Sequence, residues 1–303
     1  MVKSKKNWLR LMRLIGIVIF IWILSRISFS HLGTVLSQVN IPLLLLSFAI
    51  IFVIYFIKML RWHYLVKQTE LSPSLKESWY IYNIGIFLAS ITPAKLGEIG
   101  RASYLVKAGL NKKTSIGIVI VDRIADVIIT SFLLIIACVF IFGWLITTIV
   151  LMFLSALIAS LFILEKKKQF VKNIKSSMPF FKKILKFDTA TYVLLLTIVN
   201  WIVYYMWAIL VARSVGIEVS SGILVLVFTI AGTIAVLPIA PSGLGTRDIA
   251  LITLLTPYGV PMEQIVILAL LMFTTPFISS ILGLWYWIRG CSMTPLPKQN
   301  YEA

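Results

Sequence analysis

The segment ITPAKLGEIGR, residues 91–101, places Lys95, Glu98 and Arg101 directly after the apolar run YIYNIGIFLAS. Glu98 and Arg101 stand three apart, the spacing at which side chains meet on one helix face. In IVIVDRIADVIIT, Asp122 and Asp126 share a face at i and i+4, and Arg123 reaches Asp126 at i+3. In GLGTRDIA, Arg247 and Asp248 are neighbours in sequence, so they are expected to point apart and to need partners elsewhere. Ionisable groups inside apolar segments are expensive, usually paired, and often functional. The chemistry these types offer is recognition of an anion. Lys95, Arg101 and Arg247 suit a phosphate, while Glu98 and Asp248 orient those cations or receive an amine. The plainer alternative is a set of internal ion pairs that fix helix packing and touch no ligand. That alternative covers Asp122, Arg123 and Asp126 as well as Glu98, Arg101, Arg247 and Asp248.

Two helix starts strengthen the anion reading. Thr92 is a good N-cap and Pro93 a good first helical residue, so a helix is expected to begin there. A second start is expected near Pro241 and Ser242. Each would present unpaired N–H groups and the positive end of a helix dipole. Gly97, Gly243 and Gly245 let backbone or ligand approach closely.

The elements that carry these residues are membrane helices. The chain has 303 residues, of which 60% are hydrophobic and only 13% charged, about half the charged share of a soluble domain. A formal charge of +17 does not signal nucleic acid, because most lysines lie in short segments between apolar runs, as the positive-inside rule requires of a cytoplasmic face beside anionic lipid. Cys138 and Cys291 are expected near opposite faces and unbridged, and His31 and His63 are isolated, so neither a metal site nor a cofactor is expected. The first apolar run, Trp8 to Ser28, reads as an uncleaved helix rather than a signal peptide. A second span is expected from Ile41 to Lys58. Ser74 and Glu77 form a capping-box pattern that starts a helix too short to cross alone, broken at Thr92-Pro93. Thr114 to Leu164 is long enough for two spans turning near Gly143-Trp144. Thr189 to Ala212 is another, a further segment breaks at Pro238 and Pro241, and a last span runs from Met262 to Ile288. The aromatics of WYIYN, NWIVYYMW and LWYW read as interfacial belts and packing.

The segments repeat. PAKLG at 93–97 and PSGLG at 241–245 share P-x-x-L-G at an offset of 148 residues, and that offset also carries Ile41 to Thr189 and Thr114 to Met262. The fold class expected is an all-α polytopic membrane protein with about six full spans and two re-entrant broken-helix hairpins arranged as an inverted repeat. One transmembrane domain is expected, made of an N-terminal helix (1–40), a first repeat (41–142), a linking span and basic loop (143–188), a second repeat (189–289) and a tail (290–303). The N-terminus and the basic segments are expected to be cytoplasmic, which puts the chain in the cytoplasmic membrane.

These motifs resemble those of the lysylphosphatidylglycerol synthase transmembrane-region family of flippase-like integral membrane proteins. The resembling stretches are KMLRWHYLV (58–66), ITPAKLGEIGRASYLV (91–106), VDRIAD (121–126) and PIAPSGLGTRDIAL (238–251), in the family's order. The most specific is P-x-x-x-G-E-x-x-R, matched by Pro93, Gly97, Glu98 and Arg101. The family commonly has Glu-Arg where this chain has Asp122-Arg123, and Glu where it has Asp248. The resemblance implies lipid translocation. No soluble synthase is expected after the last span, hence no lysyl transfer. The substrate implied is an aminoacylated or anionic phospholipid, or a polyprenyl-phosphate-linked lipid. Two other readings stay open, a membrane lipid diphosphate phosphatase and a non-transporting partner of a lipid or glycosyl transferase. Expected partners are the membrane lipid substrate, anionic lipid at the cytoplasmic face, and a homo-oligomer or lipid-modifying enzyme, with no nucleic acid.

Overall fold

The computed structural model describes residues 37–92, 96–164, 183–184, 186–236 and 245–295. The expected Trp8–Ser28 helix, Pro93, Lys95, Pro238, Pro241, Ser242, Gly243 and most of the lysine loop lie outside these residues. What is described is helical. In chain order the helices are α1 (Ile41–Lys67), α2 (Leu75–Ser90), α3 (Gly100–Lys107, entered through a 3-10 turn Leu96–Ile99), α4 (Lys112–Leu164), α5 (Phe187–Ser214), α6 (Ser221–Val236), α7 (Thr246–Leu255) and α8 (Met262–Ile288). Among the described residues, α1, α4, α5 and α8 are long and apolar enough to cross a membrane, so this is a multi-pass helical membrane protein. In α4 the backbone leaves helical geometry at Gly143 (φ 77°, ψ 172°), the point at which the sequence expects a turn.

Local signals explain several boundaries. Asn40 accepts the Leu43 N–H and opens α1, with Pro42 in its first turn. The Ser74–Glu77 capping box forms as expected. Glu77 also accepts the backbone N–H and hydroxyl of Thr294, which ties the segment after α8 to the start of α2. Partial burial pushes the Glu77 carboxyl up, but the bonds from Thr294 and Ser74 outweigh it and bring it down to about 2.

Another boundary differs from expectation. Helix α1 does not stop at Lys58; it runs on to Lys67 and carries Lys58 and Arg61 inside its length. The helix start expected at Thr92-Pro93 falls on 93–95, outside the described residues; the Thr92 hydroxyl itself donates to the Leu88 carbonyl and accepts the Gly97 N–H, tying the end of α2 to the 3-10 turn. In the second such segment the described helix begins at Thr246, and the start expected near Ser242 lies outside the described residues.

The described helices form two quartets, α1–α4 and α5–α8, related by the 148-residue offset. Shifted by 148, the starts of α1, α2, α3 and α4 become 189, 223, 248 and 260, against observed starts at 187, 221, 246 and 262. Packing follows the same relation. Helix α2 packs on α8, and its counterpart α6 packs on α4, the counterpart of α8. Helix α3 packs on α4 as α7 packs on α8, and α1 packs on its own counterpart α5. Helices α1 and α5 are antiparallel: the Asn40 N–H at the start of α1 bonds the Ser214 carbonyl at the end of α5, and at the other end Lys183 Nζ bonds the Gln68 carbonyl. Two buried clusters form, one around Trp62, Leu65, Ile81, Tyr82 and Leu105 that also takes in Val193 of α5, the other around Trp207, Leu224, Phe228, Leu251 and Leu268 that also takes in Ile51, Ile54 and Tyr55 of α1 and Ala137 and Cys138 of α4. The outer faces of the spans expose large apolar side chains such as Leu45, Phe132, Phe140 and Leu145, as lipid contact requires.

Candidate functional site

The buried charge of the first quartet centres on Arg61, a residue that the sequence marks only within the family-like stretch KMLRWHYLV. Its side chain is 1% exposed. Its Nε donates to Asp122 Oδ1 at 2.8 Å, and its Nη1 donates to Asp126 Oδ1 and Thr197 Oγ1, both at 2.8 Å. Nη2 reaches the Asp122 carbonyl at 3.0 Å and Asp126 Oδ2 at 3.1 Å. Helix α1 is thereby bound to α4 and α5 through one guanidinium, and its fork geometry lets a single cation satisfy two carboxylates. Asp122 and Asp126 share a face, as their spacing predicts, because Arg61 lies against both.

Arg101 forms the second node. Its Nη2 donates to Glu98 Oε2 at 2.9 Å and to Asp122 Oδ2 at 3.1 Å, so the i, i+3 pair forms and also reaches α4. Its guanidinium stacks over the Tyr82 ring at 4.4 Å. Arg123 pairs with the same Glu98 oxygen and lies 3.6 Å from Asp126 Oδ2. Gly97 makes this corner possible. A Cβ there would sit 2.1 Å from the Leu88 carbonyl oxygen, so only glycine lets the turn lie against the end of α2.

The second quartet is sparser. Arg247 and Asp248 do not point fully apart: Arg247 Nη2 lies 3.5 Å from Asp248 Oδ1 and donates to the Ala269 carbonyl on α8 at 2.7 Å. Asp248 Oδ2 accepts the Gly245 N–H at 2.9 Å, so this carboxylate caps α7. Arg247 Nε is buried and has no hydrogen-bond partner among the described residues.

A cavity of about 230 Å³ lies between the quartets. Tyr55 and Lys58 of α1, Tyr82 and Ala89 of α2, and Glu98 line it from the first; Tyr204 and Trp207 of α5, Gly232 of α6, Arg247 of α7 and Pro276 of α8 line it from the second. Of the residues singled out in the sequence, Glu98 and Arg247 face this cavity together. Asp122, Arg123 and Asp126 join Glu98 and Arg101 in one network behind it. Arg101 is absent from the wall, and Asp248 is absorbed by its cap. Sequence reasoning missed Lys58 and Arg61 as site residues, and it assigned the aromatics of NWIVYYMW to belts and packing although Tyr204 and Trp207 also line the cavity. The available signal was helical: Lys58 and Arg61 are one turn apart and continue the apolar stripe of α1.

The chain matches the lysylphosphatidylglycerol synthase TM region over residues 10–283. It is 24% identical over 303 aligned positions to UPF0104 membrane protein MJ1595 of Methanocaldococcus jannaschii, covering 86% of this chain and 88% of that protein. It is 28% identical over 193 positions to UPF0104 membrane protein MJ1078 of the same organism, covering 56% of this chain and 79% of the relative. With nearly its whole described length inside the matched region, buried charge network and cavity included, this chain belongs to the lysylphosphatidylglycerol synthase transmembrane-region family.

Proposed function

We propose that the protein moves a lipid with a charged headgroup across the cytoplasmic membrane. The headgroup enters the cavity between the quartets while the acyl chains stay in lipid. The observation that carries this is the wall itself, in which Lys58, Glu98 and Arg247 from both halves face one space inside a largely apolar body. Pockets that engulf a whole small molecule run to about 300–1,000 Å³. At about 230 Å³ this one suits a headgroup and not an entire lipid.

The same reading takes the quartets as an inverted repeat, with α2–α3 and α6–α7 as hairpins entering from opposite faces. The antiparallel α1 and α5 and the exchange of α2–α8 for α6–α4 support it. Inverted repeats that meet at a central site suit alternating access, since rocking one half against the other exposes the site to each face in turn. The basic ends are taken as cytoplasmic, supported by the Lys183–Gln68 bond that joins two of them.

Reconstitution into liposomes tests the proposal. With a panel of aminoacylated, anionic and polyprenyl-phosphate lipids, at least one should cross faster than in protein-free vesicles. No acceleration of any lipid would count against it, and phosphate release from a lipid diphosphate without translocation would make the protein a phosphatase.

A further inference from the structure

The cations around the cavity are of two kinds. Arg61 and Arg101 are consumed by carboxylates of the network, and Arg123 pairs with Glu98. Lys58 and Arg247 meet carboxylates only loosely, at 3.8 and 3.5 Å. The nearest carboxylate to Lys58 is Asp126, 3.8 Å away, and both Asp126 oxygens already accept from Arg61. Arg247 meets its carboxylate only at 3.5 Å, that carboxylate is turned to the Gly245 N–H, the Arg247 Nη2 bond is to the Ala269 carbonyl, and Arg247 Nε, like Arg101 Nη1 and Arg123 Nε, is buried with no partner among the described residues. Both residues line the same cavity, one from each quartet.

Charge balance points the same way. Among the described residues, this buried region holds five cations (Lys58, Arg61, Arg101, Arg123 and Arg247) and four carboxylates (Glu98, Asp122, Asp126 and Asp248). An excess positive charge in apolar surroundings is costly until an anion joins it.

We infer that Lys58 and Arg247 form a two-cation clamp for a phosphate group, bridging the halves, while the other three arginines are structural. This rests on the cavity being the ligand site proposed above, but it changes which cations hold the ligand: Arg101 is replaced by Lys58. Arg247 offers Nε–H beside its Nη groups, the fork that grips two phosphate oxygens. Lys58 supplies a compact charge with three donors and no fixed geometry, which suits a group that must also leave. A phosphate held by both halves stabilises whichever arrangement brings them together, so the clamp couples occupancy to the relative position of the quartets.

Titration calorimetry on the full chain in a maltoside detergent, which carries no phosphate, tests this. The probes are inorganic phosphate, a short-chain phosphatidylglycerol and a short-chain diacylglycerol. The variants are Lys58→Gln, Arg247→Gln and, as a surface control, Lys107→Gln, each checked for its unfolding midpoint. The clamp predicts that at least one phosphate-bearing probe binds, that diacylglycerol does not, and that each cavity variant weakens binding about tenfold or more while Lys107→Gln leaves it unchanged. Binding of phosphatidylglycerol alone supports the clamp with a lipid headgroup as its guest. Binding of inorganic phosphate alone, with no lipid translocated in liposomes, supports the clamp and removes the lipid reading. Absence of binding by any phosphate probe overturns the clamp, as does binding insensitive to both cavity substitutions in folded protein. In the latter case translocation by wild type would leave the lipid reading standing without it.

Discussion

The two quartets share one scaffold and differ in where they carry charge. Shift the network residues of the first by 148 and the partners are uncharged: Lys58 maps to Met206, Arg61 to Ile209, Glu98 to Thr246, Arg101 to Ile249, Asp122 to Leu270, Arg123 to Leu271 and Asp126 to Thr274. The hinge glycine, by contrast, is kept, with Gly97 mapping to Gly245. The same helix order therefore occurs in α5–α8 without that network, around an apolar cluster shared with α1 and α4. Charge in the first quartet locks α1, α3 and α4 together and to α5; the buried charge described in the second is Arg247 and Asp248, with Asp248 turned to its cap and Arg247 lining the cavity. One half is a rigid charged wall, and the other presents a single cation to it.

The largest expected effect is at Arg61. Arg61→Leu leaves Asp122 and Asp126 buried with too few partners and should lower stability by about 3–5 kcal/mol, read from chemical unfolding in detergent. Its counterpart Ile209 already lacks charge, so Ile209→Leu should stay within about 1.5 kcal/mol. Next is Gly97→Ala, where the new methyl meets the Leu88 carbonyl, a backbone atom that cannot step aside. A loss of about 1–3 kcal/mol is expected by the same assay. Smaller again is Glu77. Its folded-state carboxyl, near 2, lies below the ordinary carboxylate value, so its stabilising effect is complete above about pH 4.3 and is lost as pH falls toward 2. Glu77→Gln should cost about 1 kcal/mol at neutral pH and should flatten the loss of stability between pH 4 and 2. The smallest stability effect is expected at Arg247→Gln, within about 1 kcal/mol, because its main bond is to one backbone carbonyl.

Much of this was legible in the sequence where the signal is local. The starts at Ile41 and Met262, the Ser74–Glu77 box, the Glu98–Arg101 pair and the Asp122–Asp126 face all follow from spacing of four residues or fewer or from hydropathy. What spacing cannot reach is a partner far along the chain. Arg61 and Asp122 meet across 61 residues, and a lone arginine at the end of an apolar run reads as a topology marker unless the helix is known to continue. Asp248 was legible only in part: it meets Arg247 at 3.5 Å, but its second oxygen accepts the N–H three residues earlier, a capping role that a nearby arginine hides. The motifs of the family were visible throughout, but which cations they leave open to a ligand depends on contacts between the halves.

The most direct test measures translocation and stability on the same preparation. Wild type and Arg247→Gln, reconstituted side by side, would be compared for the rate at which the preferred lipid crosses and for the unfolding midpoint. A headgroup gripped at Arg247 across from the first quartet predicts that the rate falls at least about tenfold while the midpoint hardly moves. A rate that survives the substitution, or that falls only in step with lost folded protein, would contradict the account.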